Sequence, residues 1–142
     1  MSLDDLIHRE PETLPPDASC ASAARLMRDA NVGAVVVVEG SKPLGLVTDR
    51  DLAVRVIASQ RDPARVTLAE VMSGEPIFLS ERRDVSSVVA VMRDLAIRRV
   101  MVVDDAGELV GVVAMDDLLM RLAEHLGGLT EAIRKEVAPA RA

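Results

Sequence analysis

Apolar positions in the first half of the chain follow two patterns. Residues 34–38 and 44–47 are Val- and Leu-rich runs with little polar alternation, which predicts strands buried on both faces. Turn-forming residues separate them at 39–43. Before them, apolar residues at helical spacing predict a helix over residues 18–30, with Asn31 as its C-terminal stop. A second predicted helix follows the strands over residues 51–58.

The second half shows the same order of patterns. A helix is predicted with Val85, Val88, Val89, Met92 and Leu95 on one face. The ranges 100–103 and 109–113 predict strands around a turn at 104–107, and 116–125 predicts a closing helix. Each half opens with a short helical turn, which in the second half starts with a Thr67-x-x-Glu70 capping box. Pro11 and Pro76 end these turns and precede extended pieces at 12–14 and 77–79.

The two halves are copies of one unit. When the chain is shifted by about 65 residues, Met27-Arg28-Asp29 coincides with Met92-Arg93-Asp94, and Glu10-Pro11 with Glu75-Pro76. After a slip of one residue, the shift becomes about 66 and aligns Gly45 with Gly111 and Asp51 with Asp117. We therefore expect a first unit at 1–60, a polar linker at 59–65, and a second unit at 66–126. The remaining residues, 127–142, predict a short extra helix at 129–137 and a loose tail.

A unit of about 60 residues has a marginal core, and its sheet needs a second layer. The predicted fold class is therefore α/β, with two βαββα units packed sheet to sheet about a pseudo-twofold axis.

Composition narrows the possible functions. The chain has 142 residues, 49% of them apolar, with a net charge of −6 and Phe78 as its single aromatic residue. This charge opposes binding to nucleic acid or an anionic membrane, and aromatic stacking of bases is not available. A single cysteine, Cys20, excludes a disulfide framework. No apolar run approaches the roughly 20 residues that span a bilayer, so we expect a soluble, cytoplasmic protein.

The residues after the second long strand of each unit resemble a known family. Gly45-Leu46-Val47-Thr48-Asp49-Arg50-Asp51 matches the pattern of Gly, two apolar residues, Thr or Ser, two variable residues and Asp. The second copy, Gly111 to Asp117, departs from it at Ala114, where the hydroxyl is missing. Arg98-Arg99-Val100-Met101-Val102-Val103-Asp104 has Met101 where the family usually has Pro. In this repeat context the chain resembles a CBS-domain pair, the Bateman module, without a further domain.

The resemblance implies a regulatory, energy-sensing function without a catalytic cofactor. Members of the family bind AMP, ADP or ATP, and some bind NAD or S-adenosylmethionine, in clefts between the two units. The regulated partner would be another protein chain. The resemblance also implies a homodimer. An apolar helical surface supports this expectation, formed by Leu52, Val54, Val56, Ile57, Leu118, Leu119 and Leu122.

The motif residues can be given roles in nucleotide binding. The Thr48 hydroxyl and the free N–H groups of the helix start would form an anion site, and the Asp51 carboxylate would accept both ribose hydroxyls. Gly45 would let a ligand or a neighbouring backbone approach the strand. The remaining predicted ligand-binding residues are Arg50, Arg98 and Arg99 for the phosphates and Asp117 in the second cleft. Because Ala114 lacks the hydroxyl and Asp116 replaces Arg50, we expect one strong site per chain.

Other interpretations stay open at this point. Thr48 and Asp51 could only cap a helix, and capping is the preferred interpretation of Asp117. Arg98 and Arg99 could pair with surface carboxylates. The chain could also be a ligand-free dimeric scaffold for protein–protein interaction. An enzyme is not expected, because the sequence shows no nucleophile–base pair, metal cluster or Walker loop.

The cysteine and the two histidines are not expected to form a reactive or metal-binding site. Cys20, near a helix start, is expected to be an inert packed thiol. His8 and His125 are not spaced as metal ligands.

Overall fold

A computed structural model describes residues 1–72 and 76–141, with side chains up to residue 138. Glu75, which the repeat aligns with Glu10, and Ala142, the end of the predicted tail, lie outside the described residues. The first half contains β1 and β2, then α1, β3, β4 and α2, at His8–Arg9, Thr13–Leu14, Cys20–Ala30, Ala34–Glu39, Lys42–Thr48 and Asp49–Leu52. The second half contains α3, β5, α4, β6, β7 and α5, at Leu68–Val71, Phe78–Ser80, Val85–Leu95, Arg99–Val103, Leu109–Ala114 and Met115–Arg141.

The predicted helix boundaries depend on local capping. α1 begins after Ser19, whose hydroxyl accepts a hydrogen bond from the Ser22 N–H, and it ends at Asn31 in the left-handed conformation. The capping box predicted at Thr67 and Glu70 is present. α2 continues as one π-helical turn over Ala53–Ile57, so the predicted closing helix over 51–58 is irregular in its second half.

The strands form two sheets, one around each long hairpin. In the three-stranded sheet β2 pairs parallel with β3, and β3 pairs antiparallel with β4. In the four-stranded sheet the order is β1-β7-β6-β5, with β5 parallel to β6 and β6 antiparallel to β7. The halves thus repeat the same sheet, and β1 adds an antiparallel edge to the second sheet.

The opening segments of the two halves are exchanged. Leu3 and Leu6, from the start of the chain, pack into the core of the second half around Val100 and Val113. Leu68 and Val71, from the start of the second repeat, pack into the core of the first half. The physical cores therefore cross the boundary between the sequence repeats, and neither half keeps its own opening turn.

The two sheets pack against each other through a third apolar cluster. Val36 from β3 meets Met101 from β6 and Val112 from β7, and Val38, Leu46 and Leu109 pack at its edge. The hairpin tips are also joined, since the Leu109 N–H donates to the Ser41 carbonyl at 2.9 Å. The predicted fold class, two βαββα units packed sheet to sheet, is confirmed.

The predicted end of the chain is wrong. We expected a closing helix over 116–125, a break at Gly127-Gly128, a separate helix at 129–137 and a loose tail. The structure instead has one helix, α5, over Met115–Arg141. Glycine disfavours a helix without forbidding it, so the helix passes through both glycines.

The expected dimer surface is also corrected. Leu52, Val56 and Leu118 are buried in the cores of their own chain, because they lie on the inner faces of α2, its π-helical turn and α5. The other members remain exposed, namely Val54, Ile57, Leu119 and Leu122. The repeat pattern identifies the apolar residues but does not show which of them are buried within the same chain.

Candidate functional site

A cleft of about 560 Å³ opens between the two halves beside the β4–α2 junction. We call it the Asp51 cleft. From the first half it is lined by Leu46, Thr48, Asp49, Arg50 and Asp51. From the second half it is lined by Pro76, Ile77, Ala96, Ile97, Arg98, Arg99 and Met101. The structure therefore brings five of the seven predicted site residues into one cleft, and Gly45 and Asp117 lie elsewhere.

Thr48 and Asp51 form a reciprocal cap at the start of α2. The Asp51 N–H donates to the Thr48 Oγ1 at 3.2 Å, and the Thr48 N–H donates to the Asp51 Oδ2 at 2.9 Å. The Asp51 side chain is only 17% exposed. The predicted cap is therefore present, and both side chains also line the cleft.

The expectation that free helix N–H groups form an anion site is wrong. The Asp49 N–H donates to the Gly33 carbonyl at 3.0 Å, and the Arg50 N–H donates to the Asp49 Oδ1 at 2.8 Å. With the Asp51 N–H bonded to Thr48, the first three amides of α2 are all engaged. A phosphate in this cleft would therefore depend on side-chain donors.

Three arginines supply positive charge to the Asp51 cleft. Arg50 belongs to α2, whereas Arg98 and Arg99 come from the other half, immediately before and at the start of β6. Arg98 pairs with Asp116 at 2.5 Å, and both side chains are largely exposed. Arg50 and Arg99 form no ion pair within 4 Å among residues 1–72 and 76–141. The surface-pairing alternative thus holds for Arg98 and not for Arg99.

Gly45 does not line the cleft. It is buried in β4, and a Cβ at this position would lie 3.0 Å from the Met72 Sδ. Its repeat equivalent Gly111 is tighter, since a Cβ there would lie 2.4 Å from the His8 carbonyl oxygen. Both glycines thus make room for the exchanged opening segments, and the expected ligand approach at Gly45 is replaced by an approach of Met72.

The remaining lining of the Asp51 cleft is apolar, and the sequence analysis did not assign it. Leu46 faces Ile77, Ile97 and Met101 across the two halves. Leu46 and Met101 lie within β4 and β6, whereas Ile77 and Ile97 precede β5 and β6. An aliphatic wall of this kind can hold a flat base between side chains when no aromatic residue is present.

Gly33 is a second residue that the sequence analysis missed. A Cβ at this position would lie 3.2 Å from the Arg99 Nη2 and 3.3 Å from the Asp49 Oδ2. The bare glycine therefore leaves space for both the Arg99 guanidinium and the Asp49 carboxylate. The repeat equivalent of Gly33 is Arg98, so the two clefts differ at this position.

Asp117 lines a second, smaller cleft of about 200 Å³. It lies beside His8 and beside six residues of the first half that are equivalent to lining residues of the Asp51 cleft, namely Pro11, Glu12, Val32, Gly33, Ala34 and Val36. Arg99 lines both clefts, but here Glu12 and Asp117 stand beside it. We call it the Asp117 cleft, and its acidic side chains disfavour an anion.

Asp117 lies in the first turn of α5, where a carboxylate stabilises the helix start. Its side chain is exposed. The interpretation of Asp117 as a carboxylate at the start of the closing helix therefore agrees with the structure. On its outer side Asp117 borders a groove of about 360 Å³ with Asp5 and Glu124.

Arg55 connects Asp51 to the second half. Its Nη1 donates to the Val71 carbonyl at 2.9 Å, and its Nε lies 3.9 Å from the Asp51 Oδ1. Arg55 follows Asp51 by four positions, and an i,i+4 acid–base pair of this kind can be recognised in the sequence. The Arg55 side chain therefore lies between the Asp51 carboxylate and the end of α3.

Cys20 has no role at the cleft. Its side chain is buried, and its Sγ lies 3.8 Å from the Thr67 carbonyl oxygen. Burial, followed by the nearby charge of Glu70, raises the pKa of the Cys20 thiol. The expected packed position of the Cys20 thiol is confirmed.

The described ranges contain neither a cluster of metal ligands nor a membrane-spanning helix. Among residues 1–72 and 76–141, no three His, Cys, Asp or Glu side chains are grouped as metal ligands. Within this part of the chain, no helix has both the length and the apolar character needed to cross a membrane.

Comparison with known proteins identifies relatives of both halves. A model of the CBS domain matches residues 3–57 and again residues 68–124. The CBS domain-containing protein YhcV of Bacillus subtilis is 37% identical over 117 residues, which covers 82% of each chain. An uncharacterized protein of Methanopyrus kandleri is 35% identical over 136 residues, which covers 95% of this chain and 69% of that protein.

A solved structure supports the same assignment. A CBS-domain protein of Pyrobaculum aerophilum, determined in complex with AMP, superposes with a TM-score of 0.76 at 28% identity. The superposition covers 87% of this chain and 99% of that one.

Proposed function

This chain belongs to the CBS-domain family, and we propose that it is a regulatory module that binds an adenine nucleotide in the Asp51 cleft. The nucleotide is of the AMP, ADP or ATP class, and its binding changes the interaction with a partner chain. The observation that carries the proposal is the set of side chains in one cleft between the halves. Two carboxylates, a hydroxyl and three arginines line the cleft together with an aliphatic wall.

Each part of a nucleotide has a matching partner in this cleft. The Asp51 carboxylate can accept hydrogen bonds from the ribose hydroxyls, because only its Oδ2 is used by the Thr48 N–H. The Thr48 hydroxyl accepts from the Asp51 N–H and keeps its own hydrogen for a phosphate oxygen. Arg50 and Arg99 can meet the phosphates with forked geometry, and the base can lie between Leu46 and Ile97.

The Asp117 cleft is the weaker site in this proposal. It is less than half as large, it lacks the hydroxyl that Thr48 provides, and it places Glu12 near Asp117. We expect one nucleotide per chain.

Thermal unfolding in the presence of ligands tests the proposal. At about 100 times the dissociation constant, AMP, ADP or ATP should stabilise the fold by roughly 2.7 kcal/mol, which raises the melting temperature on the order of 5–10 °C. NAD and S-adenosylmethionine are tested in parallel, and GMP serves as the base control. If no adenine ligand at millimolar concentration shifts the unfolding, the proposed nucleotide binding is wrong.

A ligand-free scaffold is the second candidate function. This function is favoured because the backbone N–H groups at the start of α2 already have hydrogen-bond partners within the chain. The cleft therefore does not require a bound anion to satisfy them. In that case the chain would bind its partner through its surface alone. The absence of any ligand-induced shift, together with an intact oligomer, would select the scaffold.

Self-association is the second part of the proposal. The exposed Val54, Ile57, Leu119 and Leu122 are large apolar side chains on the outer faces of the helical elements. Pairing of two chains about a twofold axis is the common way to cover such a surface. Sedimentation as a monomer at high micromolar concentration would contradict it.

A further inference from the structure

One arginine of the Asp51 cleft is already paired with a carboxylate of its own chain. Arg98 lines the cleft, and its Nη2 donates a hydrogen bond to the Asp116 Oδ1 at 2.5 Å. The backbone keeps the two residues together, because the Met115 N–H donates to the Arg98 carbonyl oxygen at 2.8 Å. Asp116 is not among the described residues that line the cleft, so it contacts the cleft only through Arg98.

The charge of Arg98 matters because the cleft offers a phosphate few other donors. The first three amides of α2 are engaged within the chain. Two carboxylates, those of Asp49 and Asp51, line the same cleft, and the other two arginines only balance their charge. While Asp116 neutralises Arg98, the cleft therefore has no surplus of positive charge. A surplus arises when the Arg98 guanidinium leaves Asp116.

The pair is weak enough for a phosphate to displace it. The side chains of Arg98 and Asp116 are 62% and 69% exposed, and ion pairs at such positions stabilise a fold only slightly. A phosphate monoester carries about −1.5 to −2 charges at pH 7, more than a carboxylate, and it accepts forked hydrogen bonds from arginine. Breaking the pair nevertheless takes away part of the free energy that the phosphate gains.

The pair is a property of the second half alone. The repeat aligns Arg98 with Gly33, and it aligns Asp116 with Arg50. The first half therefore has neither the arginine nor the carboxylate at the equivalent positions. Asp117, the next residue, is also exposed in the first turn of α5, but no cationic side chain within the described ranges pairs with it. The two neighbouring carboxylates thus differ in their contact with Arg98.

We propose that Asp116 is a positioning residue of the Asp51 cleft, which holds the Arg98 guanidinium until the phosphate of a nucleotide displaces it. The carboxylate is an internal competitor of the ligand and lowers the affinity of the cleft for phosphorylated ligands. This inference rests on the proposed nucleotide binding and adds to it a residue that regulates the affinity from outside the cleft. A nucleoside without a phosphate does not need Arg98, so its affinity is independent of Asp116.

Titration calorimetry with AMP and with adenosine tests the competition. Asp116→Asn removes the competing charge and should raise the AMP affinity about three- to fivefold. The adenosine affinity should stay unchanged, whereas a structural change of the cleft would alter both. Asp117→Asn is the matched control, because it removes the same charge from the same helical turn. It should change the AMP affinity by less than about twofold.

A double-mutant cycle separates the competition from a general effect of charge. Arg98→Met should weaken AMP binding, and in that background Asp116→Asn should have no larger effect than Asp117→Asn, because the competition requires the guanidinium. The Arg98 carbonyl oxygen that accepts from the Met115 N–H is unchanged in this variant. Far-UV circular dichroism of all variants should match that of the wild-type chain, since both side chains are largely exposed.

Equal AMP affinities of Asp116→Asn and Asp117→Asn would overturn the inference. A gain in adenosine affinity equal to the gain for AMP would also overturn it, as would a gain that persists beside Arg98→Met. Each of these results leaves the proposed nucleotide site in place. If neither the wild-type chain nor Asp116→Asn binds AMP, the proposed function is wrong, and this inference is wrong with it.

Discussion

Asp51 has a structural and a proposed binding function, and a conservative substitution separates them. In Asp51→Asn the amide oxygen can still accept from the Thr48 N–H, so the cap of α2 should survive, whereas the negative charge that binds the ribose is lost. Loss of a charged hydrogen bond costs about 1.5–3 kcal/mol, or a factor of ten or more in AMP affinity. Titration calorimetry of this variant measures the effect.

Asp117→Asn is the matched control, since it changes the equivalent residue of the Asp117 cleft. It should leave the AMP affinity within a factor of about two. If Asp117→Asn weakens AMP more than Asp51→Asn does, the principal site has been assigned to the wrong cleft.

The two motif glycines should respond differently to the same substitution. Gly111→Ala would place a Cβ 2.4 Å from the His8 carbonyl oxygen, so the backbone of the opening segment must shift. Gly45→Ala meets only the flexible Met72 side chain, at 3.0 Å. We expect Gly111→Ala to lower the free energy of unfolding by roughly 1–3 kcal/mol, and Gly45→Ala to lower it by less. Chemical denaturation measures both, and equal losses would contradict this account of the exchange.

Among the elements, the short α3 depends on an ionised cap. The Glu70 carboxylate accepts from the Thr67 N–H at 2.7 Å and from the Thr67 hydroxyl at 3.0 Å. These hydrogen bonds, first the backbone one, lower the pKa of Glu70. A carboxyl group whose pKa is lowered by folding stabilises the folded state at pH values above its pKa in the unfolded chain, about 4.3. This contribution is lost as the pH falls below that value.

Glu70 should therefore change the melting temperature little between pH 7 and about 5.5. The melting temperature should decrease below about pH 4.5. In Glu70→Gln the carbonyl oxygen still accepts the hydrogen bonds, so the decline should be shallower. Asp5 and Asp84, whose pKa values are lowered by the backbone amides of Ser2 and Ser87, keep part of the decline in that variant. A melting temperature that increases between pH 5 and pH 4 would contradict the assignment.

At the scale of the whole molecule, the repeat was the feature that made the fold predictable. A shift of about 65 residues predicted both hairpins and the packing of the sheets, because each half has the same apolar pattern. The exchange of opening segments could not be predicted in this way. Leu3 and Leu68 are equivalent in the repeat, and their pattern is the same whichever core they enter.

The candidate site was predictable in its parts and less so in its arrangement. The motif indicated Thr48 and Asp51, but the structure was needed to bring Arg98 and Arg99 from the other half to them. The amide of Asp49 at the start of α2 bonds to the Gly33 carbonyl, which lies between α1 and β3. The sequence analysis wrongly ended the helix before Gly127. Glycine destabilises a helix by only a small free energy per residue, so a long helix can continue through it.

The stoichiometry of AMP binding tests the central claim most directly. The two halves are near copies, so a simple repeat would bind two nucleotides per chain with similar affinity. The larger Asp51 cleft, with its hydroxyl and three arginines, predicts instead one AMP per chain by titration calorimetry, with a binding signal that Thr48→Ala weakens. Two equal sites per chain, or no heat of binding and no melting shift at millimolar AMP, would contradict the account.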